Sequence, residues 1–119
     1  MSKYGSRKTK VDGIVFDSKL ESKRYQELKL LERAGEIRDL RLQPEYEPLP
    51  SFRKNGKIFR KVVYRADFSY YDARLGRCIV EDVKGYRGGG AYALFTLKKK
   101  LFEFKYQNLT INEVTKDGV

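Results

Sequence analysis

The sequence contains no histidine, and this absence removes whole classes of catalytic site. Histidine is the commonest general base and the commonest transition-metal ligand in proteins. Since there is also only one cysteine, the chain has no residue set for a zinc site or for a Ser-His-Asp hydrolase. Any catalysis must therefore use carboxylates, lysines and hydroxyls, together with a metal such as Mg²⁺ that prefers oxygen ligands.

Long apolar runs are missing too. No run approaches the ~20 apolar residues of a transmembrane helix, and no apolar signal-peptide region follows Met1. The single cysteine, Cys78, cannot form an internal disulfide, which is typical of proteins in a reducing compartment. We therefore predict a cytoplasmic protein that has no membrane contact. Because Cys78 stands inside an apolar run, we expect its side chain to be buried.

Positive charge is what the sequence has in excess. Its 119 residues include 26 Lys and Arg against 16 Asp and Glu, a formal net charge of +10. Such an excess points to a polyanionic partner, most often nucleic acid. With 40% hydrophobic residues, the chain has the composition of one folded domain over 1–119. Residues 1–11 are predicted to be a basic arm, whose cations are Lys3, Arg7, Lys8 and Lys10.

The first predicted helix covers residues 18–34 and has charged residues on its apolar side. Leu20 and Leu28 belong to its apolar stripe, and Glu21 and Arg24 fall on or beside that stripe. A carboxylate on the inward face of a helix needs an explanation, because burial of an unpaired charge is costly. Two explanations stay open: an ion pair of Glu21 with Arg24 or a lysine at the core edge, or a site residue aimed at a sheet.

The remaining elements follow from shorter patterns. Residues 58–73 form a long β-prone run, and a turn at 74–77 leads into a paired strand over 78–85. A second helix is predicted over 93–108, and a loose tail over 114–119. The order β-α-β-β-β-β-α-β predicts an α/β fold in which two helices flank a mixed sheet. Alternation places one set of side chains on a common face of the first long strand: Tyr64, Ala66, Phe68 and Tyr70.

Acids and a lysine on these two long strands suggest a site. Asp82 and Lys84 are two positions apart and point to the same side of their strand, whereas Glu81 points to the other side. Because so short a turn makes the strands antiparallel neighbours, Asp67 falls near Asp82 across the pair. Two adjacent carboxylates repel each other unless a cation lies between them, and Mg²⁺ commonly uses one or two carboxylates. The pattern therefore predicts a metal site with a lysine beside it.

At these residues the chain resembles the PD-(D/E)XK nuclease superfamily. The resemblance rests on "ADF" at 66–68, "EDVKG" at 81–85 and "SKLESKRYQEL" upstream, and it covers roughly residues 12–113. The superfamily pattern is an Asp on one strand, Asp/Glu-x-Lys on the next, and often a Glu on a preceding helix. Ala66 stands where the superfamily has a proline.

The resemblance implies a restriction-endonuclease-like mixed sheet and a metal-dependent DNA endonuclease. It assigns catalysis to Glu21, Asp67, Asp82 and Lys84, with the three acids as ligands of Mg²⁺, for which Mn²⁺ would substitute. The N-terminal pattern is similar to a small phage- or prophage-encoded branch, whose relatives of similar size include Holliday-junction resolvases. Branched or junction DNA is therefore a candidate substrate, and a bacterial cytoplasm is the expected location. We expect a homodimer, because one such domain has one cutting centre and two strands must be cut.

Further polar residues are candidate contacts with DNA. Gln43 could orient a phosphate or water, or be a polar residue at a turn; Lys98 could reach phosphate, or cover the core with its stem. The Gly-rich stretch 85–92 is predicted to be a flexible loop that orders on binding. The predicted DNA-binding residues are Lys3, Arg7, Lys8, Lys10, Arg24, Gln43, Tyr86, Arg87, Lys98 and Lys99.

Two other interpretations of function stay open. One is a non-catalytic nucleic-acid-binding protein with a nuclease-like fold. The other is a host-interaction protein whose acids form structural ion pairs with Arg24, Arg65 and Lys84. Uncompensated carboxylates repel DNA phosphates, so a site built from Glu21, Asp67 and Asp82 favours the enzyme.

Overall fold

The computed structural model describes residues 8–85 and 87–116. The predicted contacts Lys3, Arg7 and Tyr86, and residues 117–119 of the tail, lie outside the described residues. In chain order the elements are β1 (Thr9–Val11), β2 (Ile14–Phe16), α1 (Lys19–Arg33), β3 (Ile37–Leu42), β4 (Glu45–Leu49), β5 (Phe52–Lys54), β6 (Lys57–Phe59), β7 (Val62–Arg65), β8 (Phe68–Asp72), β9 (Arg77–Val83), α2 (Gly89–Lys105) and β10 (Ile111–Val114).

A mixed four-stranded sheet, in the order β10-β9-β8-β3, is the centre of the fold. β8 pairs with β9 antiparallel, from Phe68 opposite Glu81 to Asp72 opposite Arg77. β3 is antiparallel to β8, and β10 runs parallel to β9. These pairings confirm the predicted α/β class, the mixed sheet and the antiparallel arrangement of the two long strands. The predicted order β-α-β-β-β-β-α-β is wrong, because in the described residues two strands precede α1 and seven shorter ones lie between the helices.

The two helices cover opposite faces of this sheet, and each covers its own apolar cluster. Ile79 of β9 belongs to the cluster under α1, which also contains Phe16, Tyr25, Leu28, Ile37, Phe68 and Tyr70. Val80, the next residue, belongs to the cluster under α2, with Tyr64, Ala66, Phe95, Phe102 and Ile111. Full burial of a large apolar side chain contributes roughly 1.5–3 kcal/mol, so these two clusters fix both helices against the strands.

The predicted continuous strand over 58–73 is wrong, since it divides into β6, β7 and β8. At the break between β7 and β8, the N–H of Ala66 donates to the carbonyl of Pro44, and that of Asp67 donates to the carbonyl of Glu81. This irregular pair of residues shifts the alternation. Tyr64 therefore packs under α2 and Phe68 under α1, so the expected common face of residues 64–70 is wrong as well.

Three further boundaries differ from prediction. α2 begins at Gly89, inside the expected loop, and ends at Lys105, earlier than expected. Glycine disfavours helices, but the first turn is anchored where the Tyr92 hydroxyl donates to Glu113 of β10 at 2.7 Å. At the other end of the chain, residues 9–11 of the predicted basic arm form β1, because they pair antiparallel with β2.

The expected burial of Cys78 is also wrong, because its side chain is exposed. It lies on the part of the sheet that α2 does not cover, in an open cavity of about 330 Å³ that Arg38 and Tyr71 also line. Within the described part of the chain, neither helix is long and apolar enough to cross a membrane.

Candidate active site

Glu21 enters the site from the first turn of α1. Its backbone N–H donates to the Ser18 hydroxyl at 3.0 Å, and its carboxylate accepts from the backbone N–H of Asp17. This arrangement is close to a capping box, and the Ser-x-x-Glu signature at 18–21 is its signal in the sequence. Glu21 is 6% exposed, so the helix cap fixes a carboxylate that faces inward.

Asp67 lies at the break between β7 and β8, where backbone hydrogen bonds hold it in place. Its carbonyl accepts from the Gln43 N–H at 2.9 Å, and its own N–H donates to Glu81. One carboxylate oxygen, Oδ2, accepts from the Val83 N–H at 2.7 Å. Asp67 is thereby oriented toward the end of β9.

Asp82 is buried near the end of β9, where a hydroxyl and an ammonium contact its carboxylate. The Tyr64 hydroxyl donates to its Oδ2 at 2.5 Å, and the Lys84 ammonium lies 2.9 Å from its Oδ1. Lys84 also lies over the ring of Phe95, 3.5 Å from the ring centre, which is a cation–π contact. Lys84 is thus held beside Asp82, on the face that period-two alternation predicted.

The acids of α1, of the β7–β8 break and of β9 lie close enough for their charges to interact. Burial raises the pKa of Glu21 to about 7, and the negative charges of Asp17 and Asp82 act in the same direction. Burial also raises the pKa of Asp67 well above its usual range, and so do the charges of Asp82 and Glu21 and a hydrogen bond with the Asp82 side chain. Repulsion of this kind arises when carboxylates share one site without a cation between them.

Glu81, the acid next to Asp82, has a different environment. It is fully buried on the α1 face, where Arg24 donates to both of its carboxylate oxygens, from Nε at 2.7 Å and from Nη2 at 2.5 Å. The Tyr70 hydroxyl donates to it as well. The expected alternative of a Glu21–Arg24 ion pair is therefore wrong, because Arg24 pairs with Glu81.

Gln43 lines a cavity of about 170 Å³ together with two of the acids. Its polar lining is Glu21, Gln43 and Asp67, and its apolar lining comes from β2 and Leu42. Gln43 has a φ of +53°, a left-handed backbone conformation that is costly for a residue other than glycine. The structure thus places Gln43 beside two of the predicted catalytic residues.

The other described candidates for DNA contact do not line this cavity, although Glu113, which two of them contact, lies opposite Asp82 in the β9–β10 register. Arg87 and Lys99 surround Glu113, at 3.4 Å and 3.0 Å. Lys98 is half-buried on α2 and forms no ion pair with a described carboxylate. At the N-terminal side, Lys10 is exposed, and the exposed Lys8 lies 3.8 Å from Asp17. As DNA contacts, all of these residues stay predictions.

Sequence reasoning did not find two groups that orient the acids. These are the Tyr64 hydroxyl and the backbone N–H of Val83. The sequence contains no signal for either one, because both depend on how β7, β8 and β9 meet.

The donors at the site are hard oxygen ligands, of the kind that Mg²⁺ and Mn²⁺ prefer. Across residues 8–85 and 87–116, no three or more Asp, Glu or Cys side chains are arranged as a ready metal-binding group. The charges of Asp82 and Glu21 both act on Asp67, so these three acids are the candidate oxygen ligands.

Comparison with known proteins identifies a family. A family model described as "Protein of unknown function (DUF1064)" matches residues 1–117. The chain belongs to the DUF1064 family. Neither the curated proteins nor the solved structures gave a match to this DUF1064 chain.

Proposed function

We propose that this DUF1064 chain is a metal-dependent DNA endonuclease of the PD-(D/E)XK type, with branched or junction DNA as its candidate substrate. One observation carries the proposal. The half-buried Asp67 and the buried Asp82 lie close enough to Glu21 for their charges to interact, and the Lys84 ammonium is 2.9 Å from Asp82. Acids and a lysine in this arrangement are what metal-dependent phosphodiester hydrolysis needs.

The proposed metal ligands are Asp67 and Asp82, with Glu21 completing or extending the shell. Two carboxylates are a sufficient protein donor set for Mg²⁺, which usually keeps several waters and binds substrate phosphate. A divalent cation held there would supply a Lewis acid for the phosphate and lower the pKa of a bound water. The raised pKa values of Glu21 and Asp67 support this assignment, because burial and, to a smaller extent, repulsion between the acids raise them, and a cation would offset both.

Lys84 is proposed to neutralise charge on the phosphate. Its ammonium is a compact point charge, and its contacts with Asp82 and the Phe95 ring hold it at the site before substrate arrives. The Tyr64 hydroxyl and the Val83 N–H keep Asp82 and Asp67 in fixed orientations. Such second-layer hydrogen bonds commonly decide how well carboxylates work as ligands.

The alternative proposal is a DNA-binding protein without catalytic activity. The net charge of +10 is consistent with the endonuclease and with the inactive binder alike. The acids favour the enzyme. The host-interaction interpretation rests on ion pairs of Arg24, Arg65 and Lys84, and each of these cations does contact a carboxylate. However, no described Lys or Arg forms an ion pair with Glu21 or Asp67, so structural pairing does not account for these two acids.

The test of function is cleavage of linear, nicked, flap and four-way DNA with Mg²⁺ or Mn²⁺. The proposal requires cleavage of at least one form, stopped by a chelator. Tight binding of these DNAs without any cleavage would contradict the proposal and support the inactive binder.

We further propose that the protein works as a homodimer, paired through an apolar stripe on α2. Leu94, Leu97 and Phe104 are 54%, 52% and 79% exposed, and Leu101 lies between them. Their spacing of three, four and three residues aligns them along one side of the helix, as in a coiled-coil seam. Lys98, Lys100 and Lys105 flank the stripe, so salt should strengthen the pairing by screening their repulsion.

Leu97→Glu should convert the dimer into a monomer, because it places two carboxylates in the apolar seam. Sedimentation equilibrium of the wild type and the Leu97→Glu variant measures this conversion. Gln26→Glu is the control, because Gln26 is exposed on α1 and receives the same new charge. A wild type that is monomeric at high salt and high concentration would contradict the homodimer.

A further inference from the structure

β5 and β6 form a hairpin that pairs with no other described strand. Its turn is Asn55-Gly56, with φ of 53° and 74°, the two left-handed residues that a tight type I′ turn needs. All residues from 50 to 61 are exposed, so the hairpin projects from the domain. A two-stranded ribbon is only marginally stable alone, and here the stacked rings of Phe52 and Phe59, 4.8 Å apart, hold its base together.

The hairpin is strongly cationic and contains no acid. There is no Asp or Glu from residue 48 to residue 66. Its unpaired cations, which form no ion pair with any carboxylate in the described part of the chain, are Arg53, Lys54, Lys57 and Arg60. Lys54 also lies directly opposite Lys57 in the strand register.

Two like charges placed opposite each other destabilise a strand pair. This cost falls on a ribbon that buries no residue of its own, and the domain supplies no acid to offset it. A polyanion would remove the repulsion. The hairpin therefore has the charge of a binding element and not of a structural one.

We propose that the β5–β6 hairpin docks in the major groove of double-stranded DNA, with Lys54 and Lys57 on phosphates. The major groove is about 12 Å wide and admits a two-stranded β-ribbon. Residues 57–66 connect the turn to Asp67, and a chain of that length spans at most roughly 35 Å, about one helical turn of duplex. The inference rests on the proposed function, in that DNA is the partner; it adds a contact surface separate from the acids.

The experiment measures affinity for a labelled duplex in chelator, without cleavage, over a range of salt. Lys54→Gln/Lys57→Gln should weaken binding about tenfold at moderate salt and reduce the slope of log affinity against log salt by about 1.8. Arg33→Gln/Arg77→Gln removes two exposed cations outside the hairpin, one at the end of α1 and one at the start of β9, and should keep the wild-type slope. Lys54→Arg/Lys57→Arg keeps the charges and should keep it too.

Three other outcomes would overturn either the hairpin proposal or the proposed function. If the wild type binds duplex and the Lys54→Gln/Lys57→Gln variant binds with the same affinity and slope, the hairpin proposal is overturned while DNA binding stands. If single-stranded DNA of the same length shows the same loss, the assignment to the duplex groove is overturned. A wild type that binds no DNA at all would instead overturn the proposed function. Circular dichroism of the variants checks that each one folds.

Discussion

Asp82→Asn should abolish metal-dependent DNA cleavage and leave DNA binding intact or tighter. The amide keeps the size of the carboxylate and can still accept from the Tyr64 hydroxyl, but it loses the anionic oxygen that the proposed cation needs. Loss of a residue that only hydrogen-bonds to a metal ligand commonly lowers metal affinity or activity by about 10–100-fold. Loss of a ligand itself should therefore reduce the cleavage rate by about a hundredfold or more. Removal of one negative charge beside phosphate favours binding.

The control for this variant is Asp39→Asn. Asp39 is exposed on β3 with a φ of +57°, a conformation that asparagine tolerates, so the chemical change is the same without a change at the site. Cleavage rates under single turnover and binding in chelator should both match those of the wild type. If Asp82→Asn cuts as fast as the wild type, the assignment of Asp82 is wrong, whatever the DNA substrate.

Arg24→Met should destabilise the fold by about 3–5 kcal/mol, because it leaves the fully buried Glu81 without its bidentate partner. The remaining contact, from the Tyr70 hydroxyl, satisfies the carboxylate in part but does not neutralise it. Denaturant unfolding in chelator measures the change. Arg65→Met is the matched control, since its ion pair with Glu45 is exposed and should contribute less than about 1 kcal/mol.

The double variant Arg24→Met/Glu81→Met separates two costs in stability, that of losing the ion pair and that of burying an unpaired charge. Two well-packed apolar side chains should recover most of the stability that Arg24→Met loses, because no charge is then buried alone. Equal destabilisation by the single and double variants would contradict this account of Glu81, and so would an Arg24→Met protein as stable as the control.

Which of the two adjacent acids lies beside Lys84 could be predicted because β9 is regular. Alternation along a paired strand sets Asp82 beside Lys84 and Glu81 on the opposite face, and the contacts of both acids agree. The same rule failed for residues 64–70, because the break at Ala66 and Asp67 depends on hydrogen bonds to Pro44 and Glu81. No local pattern reports such distant partners.

The inward position of Glu21 could be predicted from helical periodicity, but the partner of Arg24 could not. Glu81 lies 57 positions away in sequence, and helix periodicity carries no information on what faces the helix. The prediction that Cys78 is buried failed for a related reason. Its apolar neighbours suggest burial, whereas its exposure depends on how far α2 extends over the sheet.

The most direct test of the central claim is titration of the DNA-free protein with Mn²⁺, followed by electron paramagnetic resonance, since it needs no knowledge of the substrate. The wild type should bind Mn²⁺ in competition with Mg²⁺, and Asp67→Asn and Asp82→Asn should each lose that binding, whereas Asp39→Asn should keep it. If the wild type binds no Mn²⁺, or if both site variants bind it unchanged, the coupled acids are not a metal site and the proposed nuclease mechanism is contradicted.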